Sequence, residues 1–298
     1  MDSHTYPRAW SKENLIAFWR RDDDQDVVGL AGEYGENTRE VARVAAEDYE
    51  GYLIIGWTNE GKLLVQKGGT QGILASIDPD GFERTYDTPP VAHFSDIDLS
   101  HNGGFVAWNG TCGGPSAGIW TLNVATGDVR QIAEDCSATD LAWSPDDTQL
   151  AYTRADRQAE HGQPSGLYVA DLESGSVEQL TNPTDAAELR VEWSPTGDGF
   201  LVTRDPSFPR CSDCRTAQTL AVSKDGAESE VSPEDDPSDA SSGDILVVNE
   251  GLWYVPAAGD RRLLFAPDYN HSLSAKFSPD GKWATIVRSP CPSGCDYP

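Results

Sequence analysis

The sequence predicts an all-β fold on three observations: a hairpin pattern that recurs at near-constant spacing, a second strand pair in each period, and no amphipathic helix between them. The best copy is LAWSPDDTQLAY, residues 141–152, where apolar and polar residues alternate, break at Ser-Pro-Asp-Asp and alternate again. Proline presets φ at the first central position of a type I turn and aspartate suits the second, so this reads as a tight hairpin. Anchored on the residue before the Ser or Thr of the turn, copies fall at Trp10, Trp57, Leu99, Trp143, Trp193 and Phe277, at intervals of 47, 42, 44, 50 and 84. The last interval is twice 42, and residues 240–248 supply the turn and second strand of a weaker copy behind a polar DDPSD. Strands and turns repeated every ~40–50 residues are the signature of a β-propeller. The expectation is seven four-stranded antiparallel blades with the last incomplete, a six-bladed ring being the runner-up.

Each period justifies its four strands, A to D, in turn. Strands A and B are the two arms of the anchored hairpin. Strands C and D follow as VVGLAGEYGENTREVARV from 27, ILASIDPDGFERTYD from 73, GIWTLNVATGDVRQIAED from 118, GLYVADLESGSVEQLTNP from 166, TLAVSKDGAESEVSP from 219 and GLWYVPAAGDRRLLF from 251. A Gly- or Asp-bearing turn separates C from D in each, which makes the unit an antiparallel meander. Because every segment is claimed by the repeat, residues 1–298 read as a single propeller domain. Nine tryptophans and runs such as Ile245 to Val248 provide the core that face-to-face blades require.

Trp143-Ser-Pro-Asp-Asp, then Leu150-Ala-Tyr, then LYVADL from Leu167, then Gln179-Leu-Thr resemble the repeat of TolB-like propellers, relatives of WD-type repeats. The resemblance covers nearly the whole chain and is strongest at the anchors 143, 193 and 277. It implies a non-catalytic, protein-binding scaffold in the bacterial periplasm or outside the cell. The enzymatic alternatives are the propeller of a prolyl-oligopeptidase-like hydrolase without its catalytic domain, and a metal-dependent propeller lyase or glycosidase.

The formal charge of −27 narrows the partners. Nucleic acid, anionic lipid and acidic polymers would be repelled, and no apolar run is long enough to insert in a membrane. The expected partner is a protein or peptide, the expected state a monomer, and no cofactor or metal is expected. Much of the charge is Asp in turns, which suits solubility rather than a dedicated basic partner. The last period carries strands A and B only, so either the chain lacks a terminal piece of roughly 20 residues or its last blade is thin.

Several motifs carry candidate chemistry, each beside a plainer reading. Gly114-Pro-Ser-Ala-Gly118 fits G-x-S-x-G, but a strand follows where a nucleophile elbow needs a helix, and GQPSG from 162 repeats it at the same B-to-C loop. Asp22, Asp24, Asp26 and Glu33 match four calcium-loop positions, but Val27 replaces the required glycine and a strand would carry Glu33 roughly 20 Å away. Cys112, Cys136, Cys211, Cys214, Cys291 and Cys295 suggest three disulfides in sequential pairs, with free thiols, a Cys211–Cys214 redox motif or a four-thiolate zinc site left open. Asn109 and Asn270 head glycosylation sequons that would lie on the surface of a secreted protein. His93, His161 and His271 fall in loops at one end and keep the metal-dependent reading alive.

Connectivity points to the binding face. The A-to-B and C-to-D turns share one end of the ring and are uniformly short, as in SPDD, ESGS, ATGD, AAGD and DPDG. The B-to-C loops and D-to-A connections share the other end and are long and dissimilar: NGTCGGPSAG from 109, RADRQAEHGQPSG from 154 and RDPSFPRCSDCRTA from 204. Long irregular loops cost ordering entropy and are kept where recognition happens. Arg157, His161, Phe208 and Arg210 are the candidate contacts there, aromatic and Arg side chains being the usual anchors of protein interfaces.

Overall fold

The computed structural model describes residues 5–32, 35–45, 52–68, 72–89, 97–110, 116–134, 138–154, 166–183, 186–194, 197–205, 218–230, 238–241, 244–247, 252–255, 262–265, 271–277 and 284–290, from 238 onward as backbone alone. Every regular element among these residues is a strand, and every sheet is an antiparallel meander in sequence order. The first sheet holds β1 (Thr5–Trp10), β2 (Ile16–Asp22), β3 (Gln25–Ala31) and β4 (Arg39–Ala45). The second holds β5 (Tyr52–Trp57), β6 (Leu63–Lys67), β7 (Ile73–Ile77) and β8 (Glu83–Thr85), and the third β9 (Ile97–Leu99), β10 (Phe105–Gly110), β11 (Gly118–Asn123) and β12 (Val129–Ala133). In the fourth are β13 (Ala138–Trp143), β14 (Gln149–Arg154), β15 (Gly166–Asp171) and β16 (Val177–Gln179). The fifth comprises β17 (Ala187–Trp193), β18 (Gly199–Asp205), β19 (Gln218–Ser223) and β20 (Glu228–Glu230). The sixth comprises β21 (Ser238–Ser241), β22 (Asp244–Val247), β23 (Leu252–Val255) and β24 (Arg262–Phe265), and β25 (His271–Phe277) pairs with β26 (Ala284–Pro290) in a two-stranded seventh.

The weak copy near 240 is therefore a four-stranded sheet, and the polar β21 is a strand through its pairing with β22 rather than through alternation. First strands of successive sheets lie side by side, β1 by β5, β5 by β9, β9 by β13 and β13 by β17, and β26 comes back against β1. This radial order of meanders is a β-propeller.

The anchored hairpin works through the Ser or Thr after each anchor. Its carbonyl accepts the N–H three residues on, at 3.2 Å for Asn14 to Ser11, 3.0 Å for Gly61 to Thr58 and 2.8 Å for Gly103 to Ser100, Asp147 to Ser144 and Gly197 to Ser194. Its hydroxyl accepts a second N–H, from Leu15 to Ser11 (2.9 Å), Lys62 to Thr58 (3.1 Å), Phe105 to Ser100 (2.9 Å) and Gln149 to Ser144 (2.9 Å). The fourth residue after the anchor then turns left-handed, with φ of 60° at Asn14, 72° at Gly61 and Gly103, 58° at Asp147 and 70° at Gly197. Only Gly, Asn and Asp accept that region readily, which is why the turn reads S/T-x-x-G/N/D and not merely Pro-Asp.

The tryptophan anchors have a job that periodicity alone did not reveal. Three of the four donate their indole N–H to the carbonyl just before the anchor of the preceding sheet: Trp57 to Ala9 (3.4 Å), Trp143 to Asp98 (3.0 Å) and Trp193 to Ala142 (3.0 Å). A buried indole needs such a partner, and here the partner lies in the neighbouring sheet. Leu99 has no indole, and it instead fills the space over Gly56, where an added Cβ would lie 2.7 Å from its Cδ2. Apolar cores continue between sheets. Leu63 and Val65 face Ala17, Val28 and Leu30 of the first sheet, while Leu64 faces Trp108 and Leu122 of the third. A strand buried on both faces reads as an unbroken apolar run, as in β6.

Gly103 and Gly61 share the left-handed position but not the surroundings. A Cβ on Gly103 would meet backbone atoms of Asn59, Trp57 and Thr58 at 2.7–2.9 Å, whereas on Gly61 it would meet nothing within 4 Å. Gly61→Ala is expected to cost about 1 kcal/mol of conformational strain and Gly103→Ala at least about 2 kcal/mol more, since backbone cannot yield as a side chain can. Urea unfolding midpoints of the two variants check this, and equal losses would contradict it.

Candidate functional site

Two regions carry chemistry among the described residues: the wall formed by the first strands, and the end of each sheet where its second strand runs into the B-to-C loop. On the wall, the half-buried Asp140 of β13 accepts the Val191 N–H of β17 at 2.9 Å, and Asp98 of β9 accepts the Trp143 N–H of β13 at 3.1 Å. Each carboxylate thus ties its strand to the next sheet. Burial pushes the Asp140 carboxyl up to about 6; the Val191 N–H opposes this, the neighbouring Asp98 adds to it, and Arg190 opposes it. A carboxyl displaced in this way beside a second carboxylate is the form a proton-transferring group takes, although interlocking of strands produces it equally. Sequence reasoning missed the pair. Its trace was the Asp at 98 and 140 inside otherwise apolar first strands.

At the loop end, strand register places a cation at one repeated position. Arg20 pairs with Thr5, Lys67 with Tyr52, Arg154 with Ala138, Arg204 with Glu188 and Arg288 with Leu273, each four residues past the pairing that closes its hairpin. Two of these cations, Lys67 and Arg204, tie strands of their own sheets together. Lys67 Nζ lies 3.1 Å from Glu83 and 5.6 Å from the Tyr52 ring centroid, and Arg204 takes Glu228 through Nη1 at 2.7 Å and Glu188 through Nη2 at 2.5 Å. Glu83 and Glu228 open the fourth strands of their sheets at matching register, so the second-to-fourth-strand staple is itself part of the repeat. Hydrogen bonding to Glu228, followed by Glu188, holds the Arg204 guanidinium charged, and Glu228 is held below the usual carboxylate range by Arg204. Arg154 is 1 % exposed.

The short turns at the opposite end use their acids internally. Asp146 is drawn down to about 2 by hydrogen bonds from the Ser144 and Thr148 hydroxyls and the Thr148 N–H, and Asp171 is lowered by Ser174. Asp147 accepts the N–H groups of His101 (2.8 Å) and Asn102 (2.9 Å) from the third sheet, which explains an aspartate in a left-handed position. Much of the acidic charge in these turns is therefore structural.

Arg157, His161, Phe208, Arg210 and all six cysteines, Cys112, Cys136, Cys211, Cys214, Cys291 and Cys295, lie outside the described residues, as do Glu33, His93 and Asn270. Two readings are corrected. Asn109 is not a surface sequon: it is 5 % exposed and its Nδ2 donates to the Ala138 carbonyl at 2.9 Å. His271 opens strand β25 instead of lying in a loop. Asp146 at the turn end is spent on its own turn, so its charge cannot be reversed without damaging the hairpin. Ser116 is 3 % exposed and its carbonyl accepts the Trp120 indole N–H at 2.8 Å, a turn role. Asp26 is 2 % exposed, lies on β3 and pairs with Arg21 Nε at 2.6 Å.

Meanders in radial order, with the first strands of neighbouring sheets side by side, define a β-propeller. Solved structures agree on this class. TolB from Acinetobacter baumannii is similar over 93% of this chain and 64% of its own, at 17% identity and a TM-score of 0.55. Puromycin hydrolase is similar over 97% of this chain and 50% of its own, at 18% identity and a TM-score of 0.63. Oligogalacturonate lyase in complex with manganese matches over 97% of this chain and 90% of its own, at 10% identity and a TM-score of 0.65. At these identities the likeness shows the fold alone, a propeller of the kind TolB has. The chain thus spans less than two thirds of the Acinetobacter TolB chain and half of the hydrolase chain. No protein-family model and no curated protein matches the chain.

Proposed function

We propose that the chain is a non-catalytic scaffold of the TolB-like kind that binds a protein or peptide at its loop end, in the bacterial periplasm or outside the cell. One observation carries this reading: hydroxyls and carboxylates of the short turns are bonded into those turns, at Ser144 and Asp146 as at Ser174 and Asp171, so these side chains are occupied with holding the fold. Recognition then falls to the long loops that hold Arg157, His161, Phe208 and Arg210, while the stapled cations Lys67 and Arg204 brace the strand ends from which loops spring. A rigid frame with variable loops is the common division of labour in binding proteins.

Panning the whole chain against a displayed peptide library, then measuring the best binder by calorimetry, tests it. Shortening the loop at 206–217 is expected to lower affinity at least tenfold, and Asp80→Lys or Glu13→Lys at the turn end to leave it within twofold. The reverse pattern would put the binding face at the turn end. A second reading rests on the half-length match to puromycin hydrolase: the propeller would gate a hydrolase domain carried elsewhere. Coexpression with a G-x-S-x-G-bearing α/β partner yielding a peptidase that the partner alone is not would favour it.

A further inference from the structure

Between the third and fourth sheets, at the turn end and so away from the loop face, lies a groove of about 580 Å³. It opens where the shared core of these sheets stops. Ile132 and Phe105 line its apolar side, with the Phe105 ring 6.1 Å from that of Trp143, and Leu172 closes it from the fourth sheet. That volume lies within the range of sites for small organic molecules, which combine apolar walls with a few placed polar groups.

Its polar groups have one sign and one vacancy. Asp128, Asp147, Asp171 and Glu173 line it against a single guanidinium, that of Arg130, which is held by donating to the Leu172 carbonyl at 2.6 Å. Asp147 and Asp171 are fixed in place by the His101 and Asn102 N–H groups and by Ser174, while Glu173 is exposed and has no ion pair among the described residues. Thr121, on β11, is 7 % exposed and lines the groove, yet its hydroxyl makes no hydrogen bond with any described residue. The hydroxyl opens onto the groove, where water or a ligand donor takes up its acceptor, so a donor placed there displaces water and gains a fixed partner.

We propose that this groove binds a small organic cation with an apolar body, its ammonium or guanidinium donating to Thr121 Oγ1 and facing the Glu173 carboxylate while its body lies on Phe105, Ile132 and Leu172. Donor, positive charge and apolar surface are each demanded by a different observation: an unbonded acceptor, an excess of carboxylates and an apolar wall.

The whole chain is titrated at low salt with 2-phenylethylamine and, as a neutral shape-match, 2-phenylethanol, up to about 10 mM by calorimetry and NMR. Saturable binding of the amine is expected, with the alcohol at least tenfold weaker. Thr121→Val, which keeps side-chain volume, is expected to weaken the amine about five- to tenfold while leaving thermal stability unchanged or higher, and Glu173→Gln, at an exposed position, to weaken it about threefold. Failure of the amine to saturate, equal binding of the alcohol, or unchanged affinity in Thr121→Val would each overturn the proposal.

Discussion

Glu188→Ala is expected to destabilise the protein by ~3–5 kcal/mol, the cost of removing one partner from a buried ion pair. The Glu188 side chain is fully buried; Oε1 takes Arg204 Nη2 at 2.5 Å and Oε2 accepts the Thr181 hydroxyl at 2.6 Å. Thr181 follows the last strand of the fourth sheet and Arg204 ends the second strand of the fifth, so one carboxylate joins the two sheets. Its loss strands a guanidinium whose side chain is only 14% exposed with Glu228 as remaining acid. Replacing both partners, as Glu188→Leu with Arg204→Met, should recover at least half of the loss, because a well-packed apolar pair avoids the desolvation that the charges incur. Urea unfolding of the single and double variants measures both quantities. A single-variant loss under about 1 kcal/mol would show that water reaches the pair.

Asp140→Asn should act in the opposite direction. The Asp140 carboxyl rises from 3.8 to about 6 on folding, chiefly through burial, with Asp98 adding and the Val191 N–H and Arg190 opposing. The folded chain therefore holds this proton more tightly than the unfolded chain does. By linkage the wild type loses stability as pH rises through the window from about 4 to 6, reaching a deficit of about 3 kcal/mol above it. The amide cannot ionise and can still accept from Val191. The variant should match or slightly trail the wild type near pH 4 and exceed it by up to that amount at pH 7.5. Parallel curves for the two proteins across this window would mean that Asp140 stays solvated.

The repeat was legible because the physics of a turn is local. Type I geometry needs Ser or Thr to cap, a residue that tolerates positive φ four places after the anchor, and alternation on either side, and all three are written within a dozen residues at 10, 57, 99, 143 and 193. The four-strand unit, the all-β class and the two-stranded final sheet follow from counting these signals. β21 escaped that reading because Ser-Asp-Ala-Ser has no alternation, and pairing with β22 decides its state.

What the repeat could not disclose is everything that crosses between sheets. Nothing local says that the Trp143 indole reaches the Asp98 carbonyl, that Asp140 bonds Val191, or that Glu188 joins Thr181 to Arg204, since the partners are separated by up to a whole period. The same holds for Asn109, whose sequon reads as surface until the fourth sheet covers it, and for Thr121, whose hydroxyl reads as an ordinary strand residue until the groove leaves it unbonded. Sequence by itself determined the class of fold, its repeat and the chemistry of its turns, because each depends on neighbours along the chain. Tertiary structure alone decided which polar groups are buried, which carboxyl is displaced and where a cavity remains, because burial and long-range electrostatics depend on neighbours in space.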